Sequence, residues 1–129
     1  MNNIKLTTMC MIYNDNKEFL VQNRIKNDWP GITFPGGKVE KEELITESCI
    51  REIKEETGLD ISNLECMGYF EWNTIEANVR HLTILFKTNS FKGELKASKE
   101  GEVFFIKEKD LDKFILSNDF MDIFQCMKL

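Results

Sequence analysis

Short runs of β-branched, aromatic and aliphatic residues alternate with turn-forming clusters along most of the chain, a pattern that predicts strands. The first two predicted strands, at residues 6–13 and 18–24, are separated by an Asn- and Asp-rich sequence typical of a hairpin loop. A turn-rich loop is predicted at 27–31, and the Pro-Gly-Gly sequence at 35–37 is predicted to be a loop that no regular strand would accept. Further strands are predicted at 32–34, 64–72, 79–88 and 102–106.

Two segments show the spacing of an amphipathic helix. The first begins near Glu43 and ends at Thr57, where Gly58 has the position that favours a left-handed backbone. The second lies near the C-terminus, with Ser117 or Asn118 available as its N-cap. Its apolar positions are Phe120, Ile123, Phe124 and Met127. Strands before, between and after two helices predict an α/β fold in which a mixed sheet lies between helices.

Length and composition predict one domain that spans residues 1–129. The net charge of -5 argues against general binding to polymeric nucleic acid, but not against a small anionic substrate that carries its own metal ion. We find no apolar run long enough to span a membrane and no signal-type segment. The 4 scattered cysteines are expected to be reduced thiols, so the chain is predicted to be cytoplasmic. It is expected to be a monomer or a homodimer.

The first predicted helix has an acidic face. At about 100° per residue, Glu52, Glu55 and Glu56 lie within about 100° of arc, while a separate stripe is predicted to pack on a sheet. That stripe comprises Thr46, Ile50, Ile53 and Thr57. Like charges repel at these spacings, and the last turn of a helix disfavours negative charge. A solvated charged surface is the alternative, but a divalent cation reverses both costs, so we predict a site for Mg²⁺, with Mn²⁺ as a substitute.

The stretch from Gly37 to Leu59 resembles the signature of the Nudix hydrolases, G-x5-E-x7-R-E-U-x-E-E-x-G-U, where U is aliphatic. Every fixed position matches: Gly37, Glu43, Arg51, Glu52, Glu55, Glu56 and Gly58. The resemblance implies the Nudix α/β/α sandwich, with a mixed sheet between helices. It also implies hydrolysis of a nucleoside diphosphate linked to another moiety.

The resemblance assigns metal ligation to Glu52, Glu55 and Glu56, and to the backbone carbonyl of Gly37. A bound Mg²⁺ would bridge phosphate oxygens, neutralise developing charge and lower the pKa of an attacking water. A carboxylate that the metal does not fully use would accept the proton of that water.

Other acidic residues are candidates for the catalytic base. We favour Glu52, or a glutamate outside the signature, where Glu100 is preferred to Glu102 and is also a candidate metal ligand. The resemblance implies that Glu43 is a structural partner or a base, and that Arg51 braces the acidic residues through a planar guanidinium that can bind carboxylates bidentately. The plain alternative for Glu100 and Glu102 is a solvated loop acid.

The resemblance is greatest to the MutT-type branch, which cleaves 8-oxo-dGTP and related nucleoside triphosphates to a monophosphate and pyrophosphate. That branch implies that Asn118 or Asp119 contacts a purine edge, a role that can coexist with helix capping. Arg24 is a candidate phosphate contact, or an edge-strand charge. Gly36 is a candidate substrate contact in the Pro-Gly-Gly loop. His81 is expected to be structural.

Aromatic residues on the strands are candidates for stacking on a base, although aromatic residues at such positions more often belong to the core. The candidates are Trp29, Phe34, Phe70 and Trp72. The alternatives within the family are another nucleoside triphosphate, a nucleoside diphosphate sugar, a dinucleoside polyphosphate or an RNA 5′ end. A Nudix-fold sensor that binds a nucleotide without cleaving it is a less favoured hypothesis, because every glutamate of the signature is present. An acidic module that only buffers Ca²⁺ is also disfavoured.

Overall fold

A computed structural model describes residues 3–25 and 30–128. The helices and strands are β1 (Asn3–Ile12), β2 (Glu18–Arg24), β3 (Gly31–Thr33), β4 (Gly36–Lys38), α1 (Ile45–Thr57), β5 (Asp60–Ser62), β6 (Glu65–Thr74), β7 (Val79–Thr88), β8 (Ser90–Lys92), β9 (Gly101–Lys107), a 3-10 helix (Glu108–Lys113) and α2 (Phe120–Met127). The predicted bounds of the second strand and of the strand at 79–88 are confirmed.

None of the helices among these residues is long and apolar enough to cross a membrane.

The strands form two larger sheets and one small pair. The four-stranded sheet has the order β4-β1-β7-β6, in which β1 and β7 are parallel and the other neighbours are antiparallel. The second sheet has the order β3-β2-β9, and β5 pairs with β8. The sheet that contains β1 is therefore mixed, as predicted.

Alternation along β1 and β2 divides the core between the two faces of these sheets. Met9, Met11 and Val21 pack in the cluster that contains the apolar face of α2. Cys10 and Leu20 pack in the cluster that contains the buried residues of α1. Because successive strand residues point to opposite faces, the sheets lie between the two helices. The predicted α/β class is confirmed.

The buried face of α1 differs in part from the predicted stripe. Ile53 and Thr57 are fully buried, but Thr46 is exposed and Ile50 is only half-buried. The face is completed instead by Ser48 and Cys49. The reason is the docking angle, since α1 packs against β4, β5 and β1, and the helical pattern alone does not specify which neighbours it has.

The ends of α1 follow from local hydrogen bonds. The helix begins at Ile45, two residues after the predicted Glu43, because Glu43 closes a turn by donating its N–H to the Glu40 carbonyl (3.1 Å). Gly58 ends the helix with a φ of 84°, as predicted, and donates its N–H to the Lys54 carbonyl.

The N-cap prediction for α2 is wrong. Asp119, with a φ of 68°, precedes the first helical residue, and no side chain caps the helix. The Asp119 and Ser117 carbonyls accept the N–H groups of Ile123 (3.0 Å) and Phe120 (3.2 Å). The chain thus enters the helix through backbone hydrogen bonds, so the Ser117 and Asn118 side chains are not used as caps.

The prediction that the Pro-Gly-Gly sequence is excluded from strands is also wrong. Gly36–Lys38 forms β4, which pairs with Thr7–Met9 of β1. A Cβ at Gly36 would collide with the Thr8 carbonyl oxygen. The missing side chain is what lets the two backbones approach closely enough to pair.

Candidate active site

Arg51 holds the acidic residues of α1 and of the preceding turn together. Its Nε and Nη2 donate to the two carboxylate oxygens of Glu43, at 2.6 and 3.0 Å. Its Nη1 donates to Glu52 (3.0 Å) and to Glu55 (3.2 Å). Nη2 also donates to the Lys38 carbonyl, at 3.1 Å, which ties the helix to β4. Each guanidinium nitrogen therefore has at least one acceptor, a geometry that a lysine could not reproduce.

The charges in this cluster shift the pKa values of its members. Hydrogen bonding from Arg51 lowers the pKa of the Glu43 carboxyl to about 2, and Glu43 in turn raises the pKa of Arg51. Glu52 behaves differently, because desolvation raises its pKa despite the hydrogen bond from Arg51. Glu43 is thus a carboxylate that stays charged as the partner of Arg51. The charged form of Glu52 is less favoured, because the side chain is partly buried.

Glu52 lies directly against the backbone of Gly37. A Cβ at position 37 would lie 2.7 Å from Glu52 Oε1, and closer still to the carboxyl carbon. The Glu52 side chain is only 13% exposed. The glycine therefore leaves the space that this carboxylate occupies, beside the backbone of β4.

Glu56 lies on the same face of α1 and is held by a different element. The amide of Gln22, which is buried in the middle of β2, donates to Glu56 Oε2 at 2.7 Å. Desolvation raises the pKa of Glu56, with further contributions from the charges of Glu100 and Glu52. The Glu56 carboxylate is thus close enough to the carboxylates of Glu52 and Glu100 to be repelled by both.

Glu100, just before β9, and Glu102, near the start of β9, have different surroundings. Glu100 pairs with Arg24, the last residue of β2, at 3.5 Å, and the Glu100 side chain is 24% exposed. Glu102 is exposed and pairs in the sheet with Asn23. Of the two glutamates, Glu100 is the one whose charge acts on Glu56.

The carboxylates of Glu52, Glu55 and Glu56 on α1 are ligands of the kind that a hard cation prefers, although each of them accepts hydrogen bonds from other side chains. Among residues 3–25 and 30–128, no three His, Cys, Asp or Glu side chains converge closely enough to hold a metal ion. Arg51 and Gln22 occupy oxygens of Glu52, Glu55 and Glu56. The mutual repulsion at Glu56 is the condition that a cation would relieve, and carboxylate oxygens suit Mg²⁺.

A first cavity, of about 260 Å³, lies beside this cluster. Gln22 and Gly37, which touch Glu56 and Glu52, line it, and so do Gly36 and Phe34. Three cationic residues complete its charged lining: Lys5, Arg24 and Lys38. Cationic residues in the cavity lining, next to residues that touch Glu52 and Glu56, form a surrounding suited to a metal-bound polyphosphate.

A second cavity, of about 340 Å³, adjoins the first through Lys5 and Thr7, which line both. Asn118 and Asp119 line this second cavity, together with Trp72, Thr74 and His81. The residues predicted to contact a base, Asn118 and Asp119, therefore line only the second cavity, which no glutamate of α1 lines.

The aromatic candidates separate into core and cavity residues. Phe34 is 2% exposed and stacks on Phe120, with ring centroids 4.8 Å apart, so its ring is occupied by core packing even though the residue borders the first cavity. Phe70 packs at the edge of the same core. Trp72 lines the second cavity, and Trp29 lies outside the described residues.

Sequence reasoning missed Lys5, Lys38 and Gln22. A glutamine inside the apolar run of β2 was a detectable signal, because burial of an amide requires a partner. The two lysines carried no such signal, since their positions follow from the pairing of β1 with β4 and β7.

Comparison with known proteins identifies the family to which the chain is similar. The family model described as NUDIX domain matches residues 4–122. An ADP-ribose pyrophosphatase of Methanocaldococcus jannaschii is 36% identical over 98 residues, which cover 73% of this chain and 57% of that protein. An 8-oxo-dGTP diphosphatase of Proteus vulgaris is 30% identical over 86 residues, which cover 65% of this chain and 74% of that protein.

A solved structure, of a MutT protein from Methanosarcina mazei Go1, superposes with a TM-score of 0.81 at 26% identity, and covers 95% of this chain and 91% of that one. The chain spans 66% and 57% of the length of the first two curated relatives that it matches.

Proposed function

The chain belongs to the Nudix family, and on that premise we propose that it is a Mg²⁺-dependent hydrolase of a nucleotide pyrophosphate bond, with Mn²⁺ as a substitute. One observation carries the proposal. Arg51 binds Glu43, Glu52 and Glu55 in a single network beside a cavity that has a cationic lining. The network keeps three carboxylates together on α1 and in the turn before it, an arrangement suited to a cation and an anionic substrate that meet there.

The proposed metal ligands are Glu52, Glu55, Glu56 and Glu100, with the carbonyl oxygen of Gly37. An ion held there would supply charge neutralisation on phosphate oxygens and a lower pKa for the attacking water. Arg51 keeps Glu52 in place through its Nη1, and Gln22 orients Glu56.

The proposed general base is Glu52, with Glu100 as the alternative. Burial raises the pKa of Glu52, which brings a carboxylate closer to the range useful for proton transfer. Glu43 is bound bidentately by Arg51 and has a pKa of about 2, which supports a structural role for it rather than the role of base.

The proposed substrate is a nucleoside triphosphate, cleaved to the monophosphate and pyrophosphate, with 8-oxo-dGTP as the first candidate. Similarity to an 8-oxo-dGTP diphosphatase supports this choice, as does the position of Asn118 and Asp119 in the second cavity. Arg24, Lys5 and Lys38 are the proposed phosphate contacts. Similarity to an ADP-ribose pyrophosphatase favours a second candidate, a nucleoside diphosphate sugar.

A substrate panel tests the proposal. Initial rates with Mg²⁺ are measured for 8-oxo-dGTP, the ordinary nucleoside triphosphates, ADP-ribose, a dinucleoside polyphosphate and a 5′-triphosphate RNA. We expect hydrolysis that EDTA abolishes. Glu56→Gln should lose it, whereas Glu76→Gln, which changes an exposed turn residue, should keep it.

Two outcomes would contradict these proposals. Equal rates for 8-oxo-dGTP and every other nucleotide would remove the specific role in cleaving oxidised dGTP. Absence of product from the whole panel, combined with nucleotide binding, would favour the non-catalytic sensor.

A further inference from the structure

The floor of the second cavity contains a row of three side chains on neighbouring strands. The register pairs Trp72 of β6 with His81 of β7, and His81 with Lys5 of β1. Paired residues of adjacent strands project from the same face of a sheet, so the three side chains stand side by side. All three line the second cavity, and Lys5 also lines the first.

The Trp72 and His81 rings form a parallel stack. Their centroids are 4.7 Å apart and their planes differ by 4°. The Thr74 hydroxyl lies 2.9 Å from His81 Nε2, which fixes the orientation of the imidazole. A stacked pair whose orientation is already fixed loses little conformational freedom when a third ring is added.

The charges around the stack favour an uncharged aromatic partner near it and an anion beyond it. Desolvation lowers the pKa of His81, and the nearby charge of Lys5 lowers it further, so both effects disfavour a charged imidazole. The Lys5 ammonium lies at the junction of the two cavities, where a phosphate group attached to a ligand in the second cavity would enter the first.

The residues before α2 supply hydrogen-bonding groups to the same cavity. Asn118 and Asp119 are exposed side chains that line the cavity. An amide offers a donor and an acceptor, and a carboxylate offers acceptors only. Together they match a base edge that presents both donors and an acceptor. A volume of about 340 Å³ is at the lower end of small-molecule sites, the size range of a nucleoside.

We propose that Trp72 and His81 determine substrate specificity by stacking on the base of a purine nucleoside polyphosphate, while Lys5 positions its first phosphate. This inference rests on the proposed function and adds the residues that would select the base. A purine has the larger ring surface and extends the Trp72–His81 stack further than a pyrimidine does.

A binding experiment tests the proposal without metal or turnover. The chain has 2 tryptophans, so the Trp29→Phe variant leaves Trp72 as the only indole fluorophore. This variant is titrated in EDTA with dGTP, dTTP and inorganic triphosphate. We expect dGTP to quench the emission of Trp72 and to bind about tenfold more tightly than dTTP, a difference of about 1.4 kcal/mol. Inorganic triphosphate should bind without comparable quenching.

Kinetics provide the second measurement. Trp72→Leu should raise KM for dGTP about tenfold with little change in kcat, and Trp72→Phe, which keeps a ring, should restore most of the loss. Lys5→Met should raise KM for every nucleotide. Thermal unfolding of each variant verifies that it folds.

Two results would overturn the inference while leaving the proposed function intact: equal quenching by dGTP and inorganic triphosphate, or an unchanged KM for dGTP in folded Trp72→Leu. Failure of the proposed function would look different. Purine-selective quenching would still be observed, but no nucleotide would be hydrolysed.

Discussion

Substitution of Gly37 by alanine should separate catalytic geometry from stability. The new Cβ would lie 2.7 Å from Glu52 Oε1, and closer still to the carboxyl carbon, whereas ordinary van der Waals contact begins at 3.4 Å. The obstructing atoms are at the end of a flexible side chain, so the carboxylate can retreat by about 1 Å without moving the backbone. The substitution should therefore displace the Glu52 carboxylate and have little effect on the free energy of unfolding.

The expected effect on turnover is large. A displacement of about 1 Å in a positioned group can reduce the rate about 100-fold. We therefore expect kcat of Gly37→Ala to fall by about two orders of magnitude, while its thermal midpoint changes by only a few degrees. The backbone carbonyl at position 37 remains present, so a loss of this size would be due to Glu52 and not to a missing ligand.

Gly36→Ala provides the matched control. Its Cβ would meet the Thr8 carbonyl carbon at 2.8 Å and the Met9 Cα at 2.9 Å, which are backbone atoms that cannot turn aside. This variant should lose about 1–3 kcal/mol of stability. Pyrophosphate release with Mg²⁺ and thermal unfolding by circular dichroism are measured for both. If kcat for Gly37→Ala stays within twofold of the unchanged protein, the contact with Glu52 has no catalytic role.

Three further predictions concern charge. Glu55→Gln and Glu56→Gln should each reduce turnover about 100-fold or more without lowering the unfolding midpoint appreciably, because repulsion on the acidic face is relieved; full activity in both would refute the ligand assignment. Glu43 has a folded pKa of about 2 against an ordinary 4.5, so the stability difference between the unchanged protein and Glu43→Gln should be constant above pH 4.5 and shrink as the pH falls towards 2. A difference independent of pH in chemical denaturation would contradict this. The single histidine, His81, should titrate below pH 6.5 by NMR, and Lys5→Met should raise its pKa; an unchanged value in that variant would show that Lys5 does not act on the imidazole.

The sequence was most informative where partners are close along the chain. Arg51 bonds residues 43, 52 and 55, all within eight positions, so helical geometry and the signature together anticipated this network. The contact between Gln22 and Glu56 spans 34 positions and depends on which strand faces α1. Local periodicity contains no information about that choice.

The same distinction explains the errors in the fold. The long strands and both helices have enough residues to show a period, and they were predicted. The strands β4, β5 and β8 have three residues each and exist because a neighbour pairs with them. Thr46 was assigned to the packed stripe of α1 from its angle alone, but it is exposed because the sheet meets the helix along Cys49, Ile53 and Thr57.

Apart from Lys5 and Thr7 of β1, which line both, the two cavities draw their walls from different parts of the chain. The first is built from β1, β2 and the loop around β4, next to the acidic helix, and the second from β6, β7 and the residues before α2. Substitutions along the edge strand β6 would therefore change the lining of the second cavity while leaving the acidic residues of α1 unchanged. With such a division, the shape of the second cavity could change without disturbing the hydrogen bonds of Arg51 and Gln22 to the acidic residues.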